Sequence, residues 1–104
     1  MCGIAGVVGE FFDSGLIPSM LGIMKHRGPD FQGFYRADKV HLGHCRLSII
    51  DISGRANQPF VSVDNNVVVA VNGEIYNFKD FKKPLQDKGY KFKSDSDCEI
   101  VLHG

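Results

Sequence analysis

The sequence predicts an α+β fold, and three patterns carry that prediction. Residues 4–8 and 67–71 are short apolar runs with strand composition. Leu16, Ile17, Met20, Leu21, Ile23 and Met24 recur at helical spacing. The strand-like stretches 31–36 and 40–51 flank Ala37-Asp38-Lys39 and read as a hairpin. With 104 residues the chain supports one domain at most and a small core. Its 43% hydrophobic and 23% charged residues are too apolar for a disordered segment, so the chain folds or forms part of something that does.

Each element has its own justification. The opening strand enters the glycine-bearing turn 9–15, from which the first helix starts with Ser14 as its expected cap. Pro18 is tolerable there only because it falls in the first turn. Met20 and Met24 are expected as core filler. His26-Arg27-Gly28-Pro29-Asp30 then breaks the helix. The residue before a proline leaves the helical region, and Gly28 is expected to supply a permissive corner. The density of charge in that loop suits a segment that positions groups beside a site.

After the hairpin, residues 51–59 have loop composition, and 60–63 form an edge strand ended by Asp64-Asn65-Asn66. Residues 67–71 are apolar at every position, which predicts a strand covered on both faces. It ends in Asn72-Gly73-Glu74-Ile75-Tyr76-Asn77. Asn-Gly is a strong hairpin signal. Phe78, Phe81 and Leu85 follow at helical spacing, however, and favour a strand-to-helix corner with Asn77 as cap and Pro84 shortening or kinking the helix. Residues 90–93 alternate as a short strand. Ser96 and Glu99 have capping-box spacing before a last helix, and Asp97 by itself reads as a helix-capping and dipole-compensating residue. An apolar helical turn at the end of the chain has little to pack on, so the chain reads as the front part of a larger domain.

Composition excludes several functions. Lys plus Arg balances Asp plus Glu at 12 each with no basic run, so neither nucleic acid nor anionic lipid is an expected partner. No apolar run is long enough to span a membrane and no signal peptide is visible, which makes a cytoplasmic location the expectation. Cys2, Cys45 and Cys98 are odd in number and lack Cys-x-x-Cys spacing, which fits reduced thiols better than a disulfide frame or zinc site. His41 and His44, three apart on a strand, point to opposite faces and make a poor metal pair.

The start of the chain offers chemistry of its own. If Met1 is removed, Cys2 becomes a residue with a thiol and a free α-amine. Their ordinary pKa values of about 8.5 and about 7.7–8.0 let the amine take the thiol proton near neutrality. The competing reading makes Cys2 a small buried residue opening a strand.

Met1-Cys2-Gly3-Ile4, the 26–30 loop, Arg46-Leu47-Ser48-Ile49-Ile50-Asp51, the stretch Val71 to Asn77 and Ser96-Asp97-Cys98-Glu99 occur together in one order. In this the chain resembles class II glutamine amidotransferases, most of all the glutaminase domains of glutamine-hydrolysing asparagine synthetases. The resemblance covers essentially the whole chain, and five ordered motifs are far more specific than any one. It implies the N-terminal part, residues 1–104, of an N-terminal-nucleophile hydrolase αββα sandwich with mainly antiparallel sheets. The remaining strands and an ATP-using synthetase domain would lie beyond Gly104.

The resemblance also implies roles. Cys2 would attack the glutamine side-chain amide and form a thioester, with its α-amine as base and then acid. Asn72 and the Gly73 N–H would form the oxyanion hole, where one donor is typically worth roughly 2.7–4 kcal/mol. Arg46 would grip the substrate α-carboxylate bidentately. Asp97 with Glu74 would bind the α-ammonium, and the backbone of Leu47, Ser48, Ile49 and Ile50 would line the substrate. Cys45 and Cys98 keep packing roles. The implied partners are glutamine and a synthetase domain in cis or in trans, and a homodimer is compatible. The glutaminase step needs no metal or organic cofactor; ATP and Mg would belong to the synthetase domain. Two other readings stay open, namely amidation of a different carboxylate acceptor and a catalytically incomplete fragment.

Overall fold

A computed structural model describes residues 2–48 and 51–104. Strands β1 (Gly3–Val8), β2 (Phe31–Arg36) and β3 (Val40–Arg46) form an antiparallel sheet in the order β1-β3-β2. Strands β4 (Phe60–Val61) and β5 (Val68–Val69) form a second antiparallel pair. Helix α1 (Leu16–Ile23) packs on β1 and β3, whereas α3 (Ile100–His103) contacts β5 and α2 (Phe78–Asp87). The expected α+β class is thus observed. No helix is long and apolar enough to cross a membrane among the described residues.

The core follows from the period-two pattern of β1. Gly3 and Ala5 face inward while Ile4, Gly6 and Val8 face out. Ala5 and Cys45 meet Ile17 and Leu21 of α1, with Val7 and Met24 at the margin. Met20 lies 37% exposed, so only Met24 fills the core as expected. The turn before α1 is organised by Asp13 rather than by the expected Ser14: its carboxylate accepts from Gly15 N at 2.7 Å. The hairpin is present, but β3 ends at Arg46, and residues 47–48 leave the sheet. Gly33 of β2 sits where an added Cβ would lie 1.7 Å from the Gln58 carbonyl oxygen. Only glycine lets the segment before β4 lie on that strand.

Several local expectations fail for identifiable reasons. The strand expected over 67–71 is reduced to Val68–Val69, half-buried, with Val67 47% exposed. Its ladder stops because Val71 N donates to the Gln58 side chain at 2.6 Å instead of to a strand. Residues 90–93 form no strand, since Tyr90 N bonds back to Leu85 O and Lys93 N donates to Glu99 Oε1 at 2.7 Å. Asn77 occupies the cap position of α2 without a side-chain capping bond, and the helix runs through Pro84 to Asp87. That helix has no buried residue, so water can serve the carbonyl that Pro84, lacking an N–H, leaves without a donor. The capping box is half made. Ser96 Oγ accepts from Cys98 N at 3.3 Å, but the Glu99 carboxylate turns to Ser94 N and Oγ instead of to Ser96 N.

Candidate active site

A cleft of about 290 Å³ opens where the end of β3, the corner after β5 and the turn before α3 converge. Cys2, Arg46, Leu47 and Asp97 line it, and Asn72, Gly73 and Glu74 form its exposed rim. Seven of the expected site residues therefore meet in one place, drawn from four separate stretches of chain. Ser48 does not join them: it lines a neighbouring hollow with Asp30 and Asn57. Ile49 and Ile50 lie outside the described residues.

The position of Cys2 follows from the register of β1 on β3. Gly3 pairs with Cys45, which brings the preceding residue beside Leu47. Leu47 N donates to Cys2 Sγ at 3.3 Å and fixes the half-buried sulfur. The 26–30 loop secures the same corner from the other side. Arg27 Nε donates to the Cys2 carbonyl at 3.1 Å, Asp30 N donates to Arg46 O at 3.0 Å, and Ser48 N donates to Asp30 Oδ2 at 2.7 Å. Gly28 does not provide a positive-φ corner. Its importance is close approach, because a Cβ there would sit 2.3 Å from the Cys45 carbonyl group.

Arg46 is 6% exposed, and its Nη1 donates to Ser53 O at 2.6 Å and to Asn57 Oδ1 at 2.7 Å. These bonds fix the guanidinium plane while the Nε/Nη2 edge makes neither of them. Asp97, 5% exposed, is not a helix cap; its Oδ2 accepts from Ile75 N at 2.7 Å. That bond and the two polar contacts on Val71, from Gln58 and from His44 Nε2 at 3.0 Å, hold the Asn72–Glu74 corner at both ends.

Residues outside the expected set complete the cleft. Asp51 clips its wall, accepting from Ser53 N and from Asp95 N, each at 2.8 Å. The nearby Ser53 hydroxyl and then the Asp95 and Ser53 amides hold its carboxyl down at about 2. Gln58, a glutamine before a proline in a loop, carries no distinctive sequence signal. Cys98 lies on the cleft wall and donates to Gly73 O at 3.4 Å. Burial, followed by the charge of Asp97, pushes its thiol up to about 12, and burial also raises that of Cys45. Both therefore stay protonated at neutral pH and keep to packing. His41 stacks edge-on against Phe12 while His44 faces Val71, so the two do not converge. No group of three metal-ligating side chains occurs among the described residues.

A model of the glutamine amidotransferase domain matches residues 1–104. An Arabidopsis thaliana protein named asparagine synthetase [glutamine-hydrolyzing] 1 is 40% identical over 107 residues, covering 99% of this chain and 18% of its own length. Asparagine synthetase [glutamine-hydrolyzing] 2 of Bacillus subtilis is 37% identical over 109 residues, covering 99% and 14%. A Gibberella zeae protein named amidase chry2 is 44% identical over 88 residues, covering 83% and 13%. The chain thus spans less than a fifth of the length of these relatives. With the whole chain matched, it belongs to the glutamine amidotransferase domain family.

Proposed function

We propose that the chain is the front part of a glutaminase domain that hydrolyses the glutamine side-chain amide, in an asparagine-synthetase-like protein. The observation that carries this is the convergence of Cys2, Arg46, Asn72–Gly73 and Asp97 on one cleft from distant parts of the sequence. The reading requires a Cys2 α-amine freed by loss of Met1. That amine takes the thiol proton, and Sγ bonds to the amide carbon while the carbonyl π pair moves onto oxygen. The Asn72 side chain and Gly73 N–H stabilise the oxyanion. Collapse breaks the C–N bond, and the nitrogen leaves as ammonia with the proton returned by the amine. Water, deprotonated by the same amine, then attacks the thioester; its C–S bond breaks and glutamate is released.

Substrate orientation comes from opposite charges among the residues that line the cleft. The Nε/Nη2 edge of the Arg46 guanidinium suits an α-carboxylate, and Asp97 with Glu74 suits an α-ammonium. Leu47 contributes cleft lining, and Ser48 acts indirectly through Asp30. The packing of α1 on one sheet and of α3 on β5 of the other supports an αββα arrangement of the N-terminal-nucleophile hydrolase kind. In the longer protein, the ammonia would amidate aspartate in a synthetase portion using ATP and Mg, in a reducing cytoplasm suited to three free cysteines. A different acceptor is the second reading, favoured by the fungal relative whose name is amidase rather than asparagine synthetase.

The direct test is mass spectrometry after exposure to a diazoketone analogue of glutamine, with peptide mapping. Adduct on Cys2 alone, prevented by excess glutamine and absent in Cys2→Ala, is the expected result. Glutamine hydrolysis by Cys2→Ala at the unmutated rate would remove Cys2 from the chemistry.

A further inference from the structure

We propose that His44 and Gln58 are positioning residues for glutamine hydrolysis, gripping Val71 from both sides so that Asn72 and Gly73 present fixed donors to the cleft. The inference rests on the glutaminase reading above. Regular strand pairing ends at Val69, two residues short of Val71, so the sheet does not hold the backbone where the corner begins. Side chains take over that task. Val71 N donates to Gln58 Oε1 at 2.6 Å, and the Val71 carbonyl meets His44 Nε2 at 3.0 Å. The first bond fixes the peptide plane entering Val71. The second fixes the plane shared by Val71 and Asn72, and so sets the direction in which Asn72 leaves the strand.

Both grips are themselves rigid. His44 is fully buried and Gln58 is 6% exposed. Gln58 is seated by the close approach of its carbonyl to Gly33, and His44 pairs with that same Gly33 across β2 and β3. Because a carbonyl only accepts, the contact with Val71 requires the proton on Nε2. His44 Nδ1 is then left buried without a hydrogen-bond partner among the described residues. A buried, unpartnered ring nitrogen is unfavourable for stability and calls for another explanation. Aiming the adjacent donors supplies one. The oxyanion exists only after attack, so misaligned donors slow turnover more than they weaken substrate binding.

The test compares His44→Phe with His44→Gln, whose amide N–H can still reach the Val71 carbonyl. Gln58→Met is compared likewise with Gln58→Glu, which keeps the acceptor. In the full chain freed of Met1, glutamine kinetics are measured alongside amide hydrogen exchange at Val71, whose N–H is held by Gln58. His44→Phe and Gln58→Met are each expected to lower kcat at least about tenfold with KM held within about twofold, as a sub-ångström to ångström misplacement can. Exchange at Val71 quickens in both, and His44→Gln and Gln58→Glu recover most of the rate and the protection. Equal loss in the conservative and disruptive variants, a defect expressed in KM, or unchanged exchange at Val71 overturns the proposal. If the disruptive pair fails to fold, loss of kcat in folded His44→Gln and Gln58→Glu overturns it, and retention supports it. If the unmutated protein hydrolyses no glutamine and Cys2 takes no adduct, the glutaminase reading fails instead, and the exchange data still decide whether the pair fixes the corner.

Discussion

Asp97 Oδ2 and Ile75 N lie 2.7 Å apart, so a single carboxylate both anchors the corner that follows Gly73 and brings negative charge to the cleft. Those two tasks separate by mutation. Asp97→Asn retains an oxygen for Ile75 N but removes the charge. It should raise the glutamine KM at least tenfold, about 1.4 kcal/mol, with little change in Tm. Asp97→Ala also strands the Ile75 N–H and should cost about 1–3 kcal/mol of stability. Steady-state kinetics with a thermal melt check both, and an unchanged KM in Asp97→Asn would remove Asp97 from the ammonium.

Arg46 offers a parallel separation. Its Nη1 is committed to Ser53 O and Asn57 Oδ1, so a bidentate grip on a carboxylate relies on the opposite edge of the same plane. Lysine has no such plane. Arg46→Lys should raise KM for glutamine about tenfold or more, about 1.4 kcal/mol, and change kcat less. Kinetics with glutamine and with a glutamine analogue lacking the α-carboxylate decide the matter, because the analogue should not distinguish the two proteins.

The gathering of Cys2, Arg46, Leu47, Asn72, Gly73, Glu74 and Asp97 on one cleft was legible because each belongs to a motif that the family resemblance singles out, and the order of motifs was itself informative. What escaped was how backbone groups are satisfied. The apolar run at 67–71 predicted a covered strand, but the Gln58 side chain takes the Val71 amide and ends the ladder. The alternation at 90–93 predicted a strand, but the buried Glu99 collects the amides of Lys93 and Ser94. Ser14 and Asn77 had cap composition without cap bonds. Such choices depend on partners that are distant in the chain or irregularly spaced, and local periodicity does not register them.

Two glycines should respond oppositely to alanine. A Cβ on Gly33 meets the Gln58 carbonyl at 1.7 Å, and neither backbone can yield cheaply. Gly33→Ala should lose about 1–3 kcal/mol or more, the scale of overpacking. A Cβ on Gly22 meets nothing within 4 Å, and the residue lies in α1. Gly22→Ala should gain about 0.5–1 kcal/mol. Urea unfolding of both variants tests the contrast.

Acid should act in two windows. Burial lowers the pKa of His44 from 6.5, so below that value the unfolded chain binds a proton that the folded chain resists. Stability therefore falls as pH drops below 6.5, and His44→Phe should flatten that slope. Asp51 behaves as a depressed carboxylate: its contribution is complete above 3.8 and is lost as pH falls through about 2. Asp51→Asn should remove the second window while leaving the first. Urea midpoints measured from neutral pH into strong acid would resolve the two.

The cleft is stitched by contacts between residues far apart in the sequence. Cys2 meets Leu47 across 45 positions, Asp51 meets Asp95 across 44, and Ile75 meets Asp97 across 22. Each of these bonds closes a long loop, and the entropy of closing such loops is recovered only once the distant partners have met. The cleft therefore assembles late and as a unit, and loosening the segment at either end releases the wall at the other.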